Sequence, residues 1–324
     1  MRRSEHRHRI PRRISYMNAR EEWLQQRQQG IGGSDAAAAL GLSRFKTQYQ
    51  LYLEKRGELA AEDLDDKEHV RFGTLMEEII AREYARRNAV KVRRRNAIIA
   101  HAKYPWMRAS VDRLLEGCRV GLECKNVDAM AFRFGEWGEP GTDEVPEEYL
   151  LQCQHYMAVL DYPEWHLAAC VGGNKLKTYI ILRDAELEEM LIEQEHAFWQ
   201  RVQSGERPDP DWQHDTTNDL LKRLHHTVGE GKVDLAELEH WHKVRQDAKR
   251  SLKVYEAAVT AADNHILDFM GGAAIGMLPD GTFYRRKEIK KKGYFVEQTS
   301  YIDFRHAKPT KGRKTDTTND QDEE

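Results

Sequence analysis

VDRLLEGCRVGLECKN, residues 111–126, decides how the rest of the chain is read. Its apolar residues are spaced as in a packed strand, yet it carries Asp112, Glu123 and Lys125. A buried charge without a partner is costly. Gly117-Cys118, midway along, suits a two-residue turn in which glycine takes the positive-φ first position of type II′. That turn sets Leu114 opposite Gly121 and Asp112 opposite Glu123, and directly opposed residues share a face. Lys125, two residues past Glu123, falls on the same face. Val111, Leu115, Val120, Leu122 and Cys124 fall on the other. The expectation is a hairpin over 108–126 with one face on a core and the other presenting two carboxylates and an amine.

Two carboxylates at that distance repel, and a cation lets both ionise. Mg²⁺ or Mn²⁺, which take oxygen ligands, would serve. A lysine beside such an ion orients or activates water, and the ion stabilises charge building on a phosphate. The set therefore fits metal-assisted phosphodiester hydrolysis. A cross-strand carboxylate–lysine ion pair on a solvated sheet face explains the same three residues without chemistry, and the hairpin alone does not choose between the two.

Outward from the hairpin, 324 residues with 40% hydrophobic content suffice for a sizeable core plus an appended region. Net charge is −3, but basic clusters stand at 1–13, 86–95 and 284–293, which allows a local anionic partner such as nucleic acid. Four cysteines with no C-x-x-C pair give no support to a zinc ribbon or iron–sulfur centre. The absence of a signal-like h-region or a long apolar run reads as a cytoplasmic protein without membrane attachment. Residues 18–29 read as a helix, 34–41 as a short helix with Ser34 as N-cap, and 47–57 as another. A longer helix follows, with Leu75, Met76, Ile79, Ile80 and Tyr84 as its apolar stripe. Short strands at 89–92 and 97–101 precede the hairpin. Residues 127–146 read as a loop, 147–160 as a helix, 165–173 and 177–183 as two strands, and 184–205 as a helix opened by Asp184 and closed by Gly205.

In this order, the residues resemble the PD-(D/E)XK nuclease superfamily, and more narrowly the YqaJ-type viral recombinases related to lambda exonuclease. The resemblance rests on EWLQQRQQGIGGSDAAAALGLS (22–43), FGTLMEEIIAREY (72–84), RASVDRL (108–114), LECKN (122–126), VPEEYLLQCQHYMAVL (145–160) and FWQRVQSGERP (198–208). It implies an α/β fold: a restriction-endonuclease-like core with a mixed central sheet flanked by helices. It implies that Asp112, Glu123 and the main-chain carbonyl of Cys124 ligate Mg²⁺ or Mn²⁺, with Lys125, Glu77 and Gln152 completing the catalytic set. Glu78 is the alternative to Glu77. Arg27 and Ser34 would hold a 5′-phosphate, with Tyr149 and Gln154 beside the DNA. The implied activity is a 5′-to-3′ exonuclease on double-stranded DNA ends that leaves single strands for recombination in a phage or prophage setting inside a bacterial host. A single-strand annealing protein is the implied partner, and a trimeric ring the implied assembly. An endonuclease on the same core and a non-catalytic DNA-binding accessory protein are the rival functions.

The organisation expected is a basic arm over 1–15, a nuclease domain over 16–212, a helical and β-hairpin extension over 213–308, and a polar tail over 309–324. Within the extension, one long helix precedes a hairpin around Pro279-Asp280-Gly281, then a strand within 294–304. The basic, aromatic stretch YRRKEIKKKGYF (284–295) reads equally as a phosphate-contacting edge and as a solvated ribbon.

Overall fold

The computed structural model describes residues 25–59, 67–227 and 229–288. The basic arm, the strand expected within 294–304 and the polar tail lie outside the described residues. The chain divides into two compact units, one ending at His225 and the other starting at His226.

The first unit opens with helical residues 25–28, then β1 (Ile31–Gly32), a 3₁₀ turn (Gly33–Asp35), α1 (Ala36–Ala39) and α2 (Gln48–Lys55). Thr47 caps α2 by accepting from the Gln50 amide. The long α3 (Glu68–Asn88) is followed by β2 (Val92–Arg94), β3 (Ile99–Ala100), β4 (Met107–Ala109), β5 (Arg113–Leu115) and β6 (Val120–Val127). Then come α4 (Ala129–Phe134), α5 (Glu147–Leu160), β7 (Glu164–Val171), β8 (Lys175–Leu182), α6 (Ala185–Ser204) and α7 (Thr217–Leu224). Asp184 caps α6, and Gly205 ends it with φ of 80°. Leu220 of α7 is buried with Phe198 and Val202 of α6, so this unit continues past the Pro-rich stretch at 206–212.

The main sheet runs β2–β5–β6–β7–β8, antiparallel throughout except for the parallel pair β6–β7. A parallel pair needs a crossover, and α4 and α5 lie in it. A smaller sheet runs β1–β4–β3. Helix α3 covers one face of the main sheet, packing Ile80, Ala81 and Tyr84 on Leu115, Leu122 and Ala168. Helix α5 covers the other, with Cys153, Tyr156 and Met157 against Leu114, Trp165 and Leu167. Covering both faces explains why β7 is nearly all apolar rather than alternating. The mixed central sheet flanked by helices is the fold class that the sequence implies.

The hairpin register is as expected: Leu114 pairs with Gly121, and Gly117 takes φ of 81°. Other details differ. Residues 108–126 are not one hairpin, because β4 belongs to the smaller sheet and the chain bends at Asp112 to enter the larger. The bend breaks the alternation, so Val111 packs with Leu114 rather than with Leu115. The carboxylate face is not solvated; it lies under α5. Ser34 sits within the 3₁₀ turn and does not cap α1. Leu75 and Ile79 are exposed, since α3 turns only Ile80, Ala81 and Tyr84 fully inward. The expected loop 127–146 contains α4, whose Asp128 side chain accepts from the Met130 and Ala131 amides. Gly121 is required sterically: a Cβ there would stand 2.3 Å from the Trp165 ring.

A buried ion pair ties α5 to α6 and β4. His155 Nδ1 lies 2.8 Å from Glu195 Oε1, and its Nε2 lies 3.0 Å from the Arg108 carbonyl oxygen, with both side chains fully buried. Two acceptors require two ring N–H groups, so the imidazolium is the form that satisfies the site. Burial opposes that charge, but Glu195 outweighs it and holds His155 above the usual histidine range. Burial likewise raises Glu195. A raised histidine stabilises the fold below about pH 6.5, its unfolded value, and the contribution is lost as pH rises through the folded value. The raised Glu195 shifts stability in the same direction. The wild-type thermal midpoint should therefore fall as the pH rises above about 6.5. His155→Gln should melt lower and show a flatter profile in a pH series of thermal scans.

The second unit holds a 3₁₀ turn (Ala236–Leu238), α8 (Glu239–Met270), and the antiparallel strands β9 (Ile275–Met277) and β10 (Phe283–Arg285). Gly281, in the Pro-Asp-Gly turn, has φ of 84°. No helix among the described residues is long and apolar enough to cross a membrane.

Candidate active site

Strand β6 supplies Glu123 and Lys125 on the α5 side, and the bend before β5 supplies Asp112. Glu123 is 4% exposed. Its Oε1 sits 2.8 Å from Lys125 Nζ and accepts a 2.7 Å hydrogen bond from Gln152 Nε2 of α5. Lys125 Nζ also donates to Gln152 Oε1 at 3.0 Å and lies 4.8 Å from the centre of the Tyr149 ring. Gln152 Nε2 donates further to the Tyr156 hydroxyl at 2.9 Å. The Cys124 amide donates to Asp112 Oδ2 at 2.8 Å. The two-residue period of β6 thus brings the acid and the amine together, while its amide at 124 pins the second acid.

The electrostatics follow from burial. Desolvation and the neighbouring Glu123 push the Asp112 carboxyl well above the usual carboxylate range. Burial opposes the charge on Lys125, yet Glu123 outweighs it and holds the amine above the usual lysine range, so Lys125 is an ammonium here. Glu123 Oε2 is buried and has no hydrogen-bond partner among the described residues. A buried oxygen without a partner beside a strained second carboxyl is what a divalent cation would satisfy. No group of three or more His, Cys, Asp and Glu side chains is placed to hold a metal among the described residues.

Glu77 and Glu78 take another arrangement. Both are bonded to Arg113, whose side chain is 3% exposed: Glu77 to its Nη1, and Glu78 to its Nη2 at 2.8 Å. Arg94 reaches Glu77 at 3.2 Å, and Arg113 Nη1 donates to the Asp112 carbonyl at 2.6 Å. Glu77 therefore joins the Asp112 bend through Arg113, a residue that sequence reasoning missed. Its signal was an arginine alternating with Leu115 on the face otherwise taken as apolar.

Arg27 Nη2 donates to Ser34 Oγ at 3.0 Å and lies 3.6 Å from Asp35 Oδ1. Asp35 is buried and bonded to Lys55 at 2.8 Å. Burial works against the Asp35 charge, but Lys55 and Arg27 hold the carboxyl far below its usual range. The turn carrying Ser34 abuts the cluster, because a Cβ at Gly33 would stand 2.4 Å from the Tyr156 ring. Gln154 is not brought to the site. It is buried, donating to the Leu182 carbonyl at 2.8 Å and accepting from the Asp184 amide at 3.1 Å, so its polar groups tie α5 to β8 and α6.

A model of the YqaJ-like viral recombinase domain matches residues 22–163, a span that holds every residue of the cluster. YqaJ of Bacillus subtilis (strain 168), an uncharacterised protein, is 39% identical over 220 residues, which is 67% of each chain. The chain belongs to the YqaJ-like viral recombinase family. Among solved structures, this YqaJ-family chain is similar to the alkaline exonuclease LHK-Exo from Laribacter hongkongensis, at a TM-score of 0.46 and 15% identity, over 64% of this chain and 100% of that one. It is also similar to a phage-related exonuclease from Haemophilus somnus 129PT, at a TM-score of 0.40 and 14% identity, over 54% of this chain and 94% of that one.

Proposed function

We propose that this YqaJ-family chain is a divalent-metal-dependent exonuclease that degrades one strand of duplex DNA from a 5′-phosphorylated end, leaving single strands for recombination by annealing. The observation that carries the reading is the buried Glu123 Oε2, without a hydrogen-bond partner among the described residues, beside Asp112 and the charged Lys125. Asp112, Glu123 and the Cys124 carbonyl are the groups that would hold the ion. When bound, Mg²⁺ or Mn²⁺ would lower the pKa of a coordinated water and neutralise charge on the phosphate. Lys125 presents a fixed ammonium to the scissile phosphate, held in place by Glu123 and Gln152. Gln152 locks the Glu123 carboxylate so that Oε1 is spent on the protein. The Tyr149 ring faces the Lys125 ammonium in a cation–π contact that helps to hold it. The viral-recombinase name of the family supports the same reading. An annealing protein and a ring-shaped assembly belong to it as the partners expected of the family.

End recognition is the specific element. The Arg27–Ser34 pair offers a guanidinium and a hydroxyl to a terminal phosphate, beside the wall formed by Tyr156. Purified protein should release nucleotides from end-labelled linear duplex when Mg²⁺ is added, favour a 5′-phosphate over a 5′-hydroxyl, and spare closed circles. Arg27→Ala should narrow the phosphate preference by roughly tenfold or more, as expected for one charge-assisted hydrogen bond. Equal cutting of circular DNA would instead make the protein an endonuclease.

A further inference from the structure

The long helix α8 lies outside the segment matched by the family and plays no part in the chemistry above. None of its residues is buried, and Phe269 is 96% exposed. Its apolar residues are nevertheless ordered. Leu252, Tyr255, Val259, Ala262, Ile266 and Phe269 follow the alternating three- and four-residue steps of a coiled-coil seam. Trp241, Val244 and Ala248 extend the stripe towards the N-terminus, one four-residue step before Leu252. At about 1.5 Å per residue, the 32-residue helix is about 48 Å long, enough for a stable seam.

The charges identify what covers it. Residues 239–254 carry Lys243, Arg245, Lys249, Arg250 and Lys253 against Glu239 and Asp247, a balance of +3. Residues 255–270 carry Glu256, Asp263 and Asp268 with no lysine or arginine, a balance of −3. An isolated helix is stabilised by the opposite polarity, with acids towards its N-terminus and bases towards its C-terminus. No base stands in the last turn of α8, and Asp268 does. This polarity is self-defeating in a lone helix and self-complementary when a second copy runs the other way. The apolar spacing agrees. In an antiparallel pair centred on Tyr255, Trp241 meets Phe269 of the other copy, Val244 meets Ile266, and Ala248 meets Ala262. In these three layers large residues face large ones and small face small, the isologous arrangement of a twofold interface.

We infer that α8 is a self-association element that pairs antiparallel with α8 of a second copy of this chain. The inference is independent of the nuclease reading. It is tested with the full chain by light scattering at micromolar concentration. One variant makes the first half acidic (Lys249→Glu with Arg250→Glu), and another makes the second half basic (Asp263→Lys with Asp268→Lys). Each alone should weaken self-association by roughly tenfold or more, through like charges facing across the interface. Mixing the two should restore it, because each then meets its complement, and restoration also shows that both variants fold. Under oxidation, Ala248→Cys with Ala262→Cys should give covalent dimers beyond those of wild type, whereas Ala248→Cys alone should not. A monomeric wild type would overturn the inference, whether α8 is then covered by residues 289–324 of its own chain or by another protein. So would an oligomer indifferent to both charge sets, or cross-linking through Ala248→Cys alone, which means parallel helices.

Discussion

Lys125→Ala should cut Mg²⁺-dependent release of nucleotides from linear duplex DNA by a factor on the order of 10²–10⁴, the range for removing a positioned group that acts in the transition state. The loss should appear in kcat rather than in DNA binding, because a single buried ammonium adds little to the electrostatic attraction for a long polyanion. The variant should also melt lower than wild type, since Glu123 is 4% exposed and loses its counter-charge. Adding Glu123→Gln should recover much of that thermal loss without recovering activity. Activity that survives both Lys125→Ala and Asp112→Ala would sink the catalytic assignment.

Arg113→Met should cost about 3 kcal/mol or more of folding stability, read from denaturant titration, although no substrate is expected to touch Arg113. Its guanidinium is buried and joins Glu77 and Glu78 of α3 to the Asp112 carbonyl. Removing it leaves Glu77 with only the more exposed and more distant Arg94 as counter-charge among the described residues, beside the sheet that partly buries it. Glu78 contributes less because it is half exposed and also bonded to Arg82. Glu77→Gln in the Arg113→Met background should return part of the stability. Activity should fall as well, because the bend that presents Asp112 loses its hydrogen-bonded support.

The sequence revealed the pairing of β5 with β6 for a local reason. One glycine with positive φ in the turn fixes a register in which Leu114 pairs with Gly121 and Arg113 with Leu122, which sets the bend carrying Asp112 beside the strand carrying Glu123. The two-residue period then carried Glu123 and Lys125 to one face without further assumptions. Other features depend on distant residues and left weaker traces. Periodicity could not show that α5 covers the carboxylate face, because a strand with one polar face looks the same whether water or a helix lies over it. The His155–Glu195 pair joins residues 40 positions apart, and each residue alone reads as ordinary helix polarity. Leu75 and Ile79 satisfied the helical spacing of a core stripe, but α3 is wider in apolar residues than the sheet it covers. Ser34 looked like a cap because serine before an alanine run usually is one. Here its hydroxyl is engaged by Arg27, and the buried Asp35 that follows it stands at the cap position of α1. Asp128 was a legible helix start that the glycines and proline of the following loop obscured.

The contact between Gly121 and Trp165 has a reach beyond its own neighbourhood. The indole lies where a side chain at 121 would stand, two residues upstream of Glu123 and on the same side of the strand. A methyl group introduced there would work like a shim driven under one end of a plank, levering β6 away from the helix that grips Glu123. The aim of the acid is thus governed from a position with no side chain at all, and alignment would suffer well before the protein came apart.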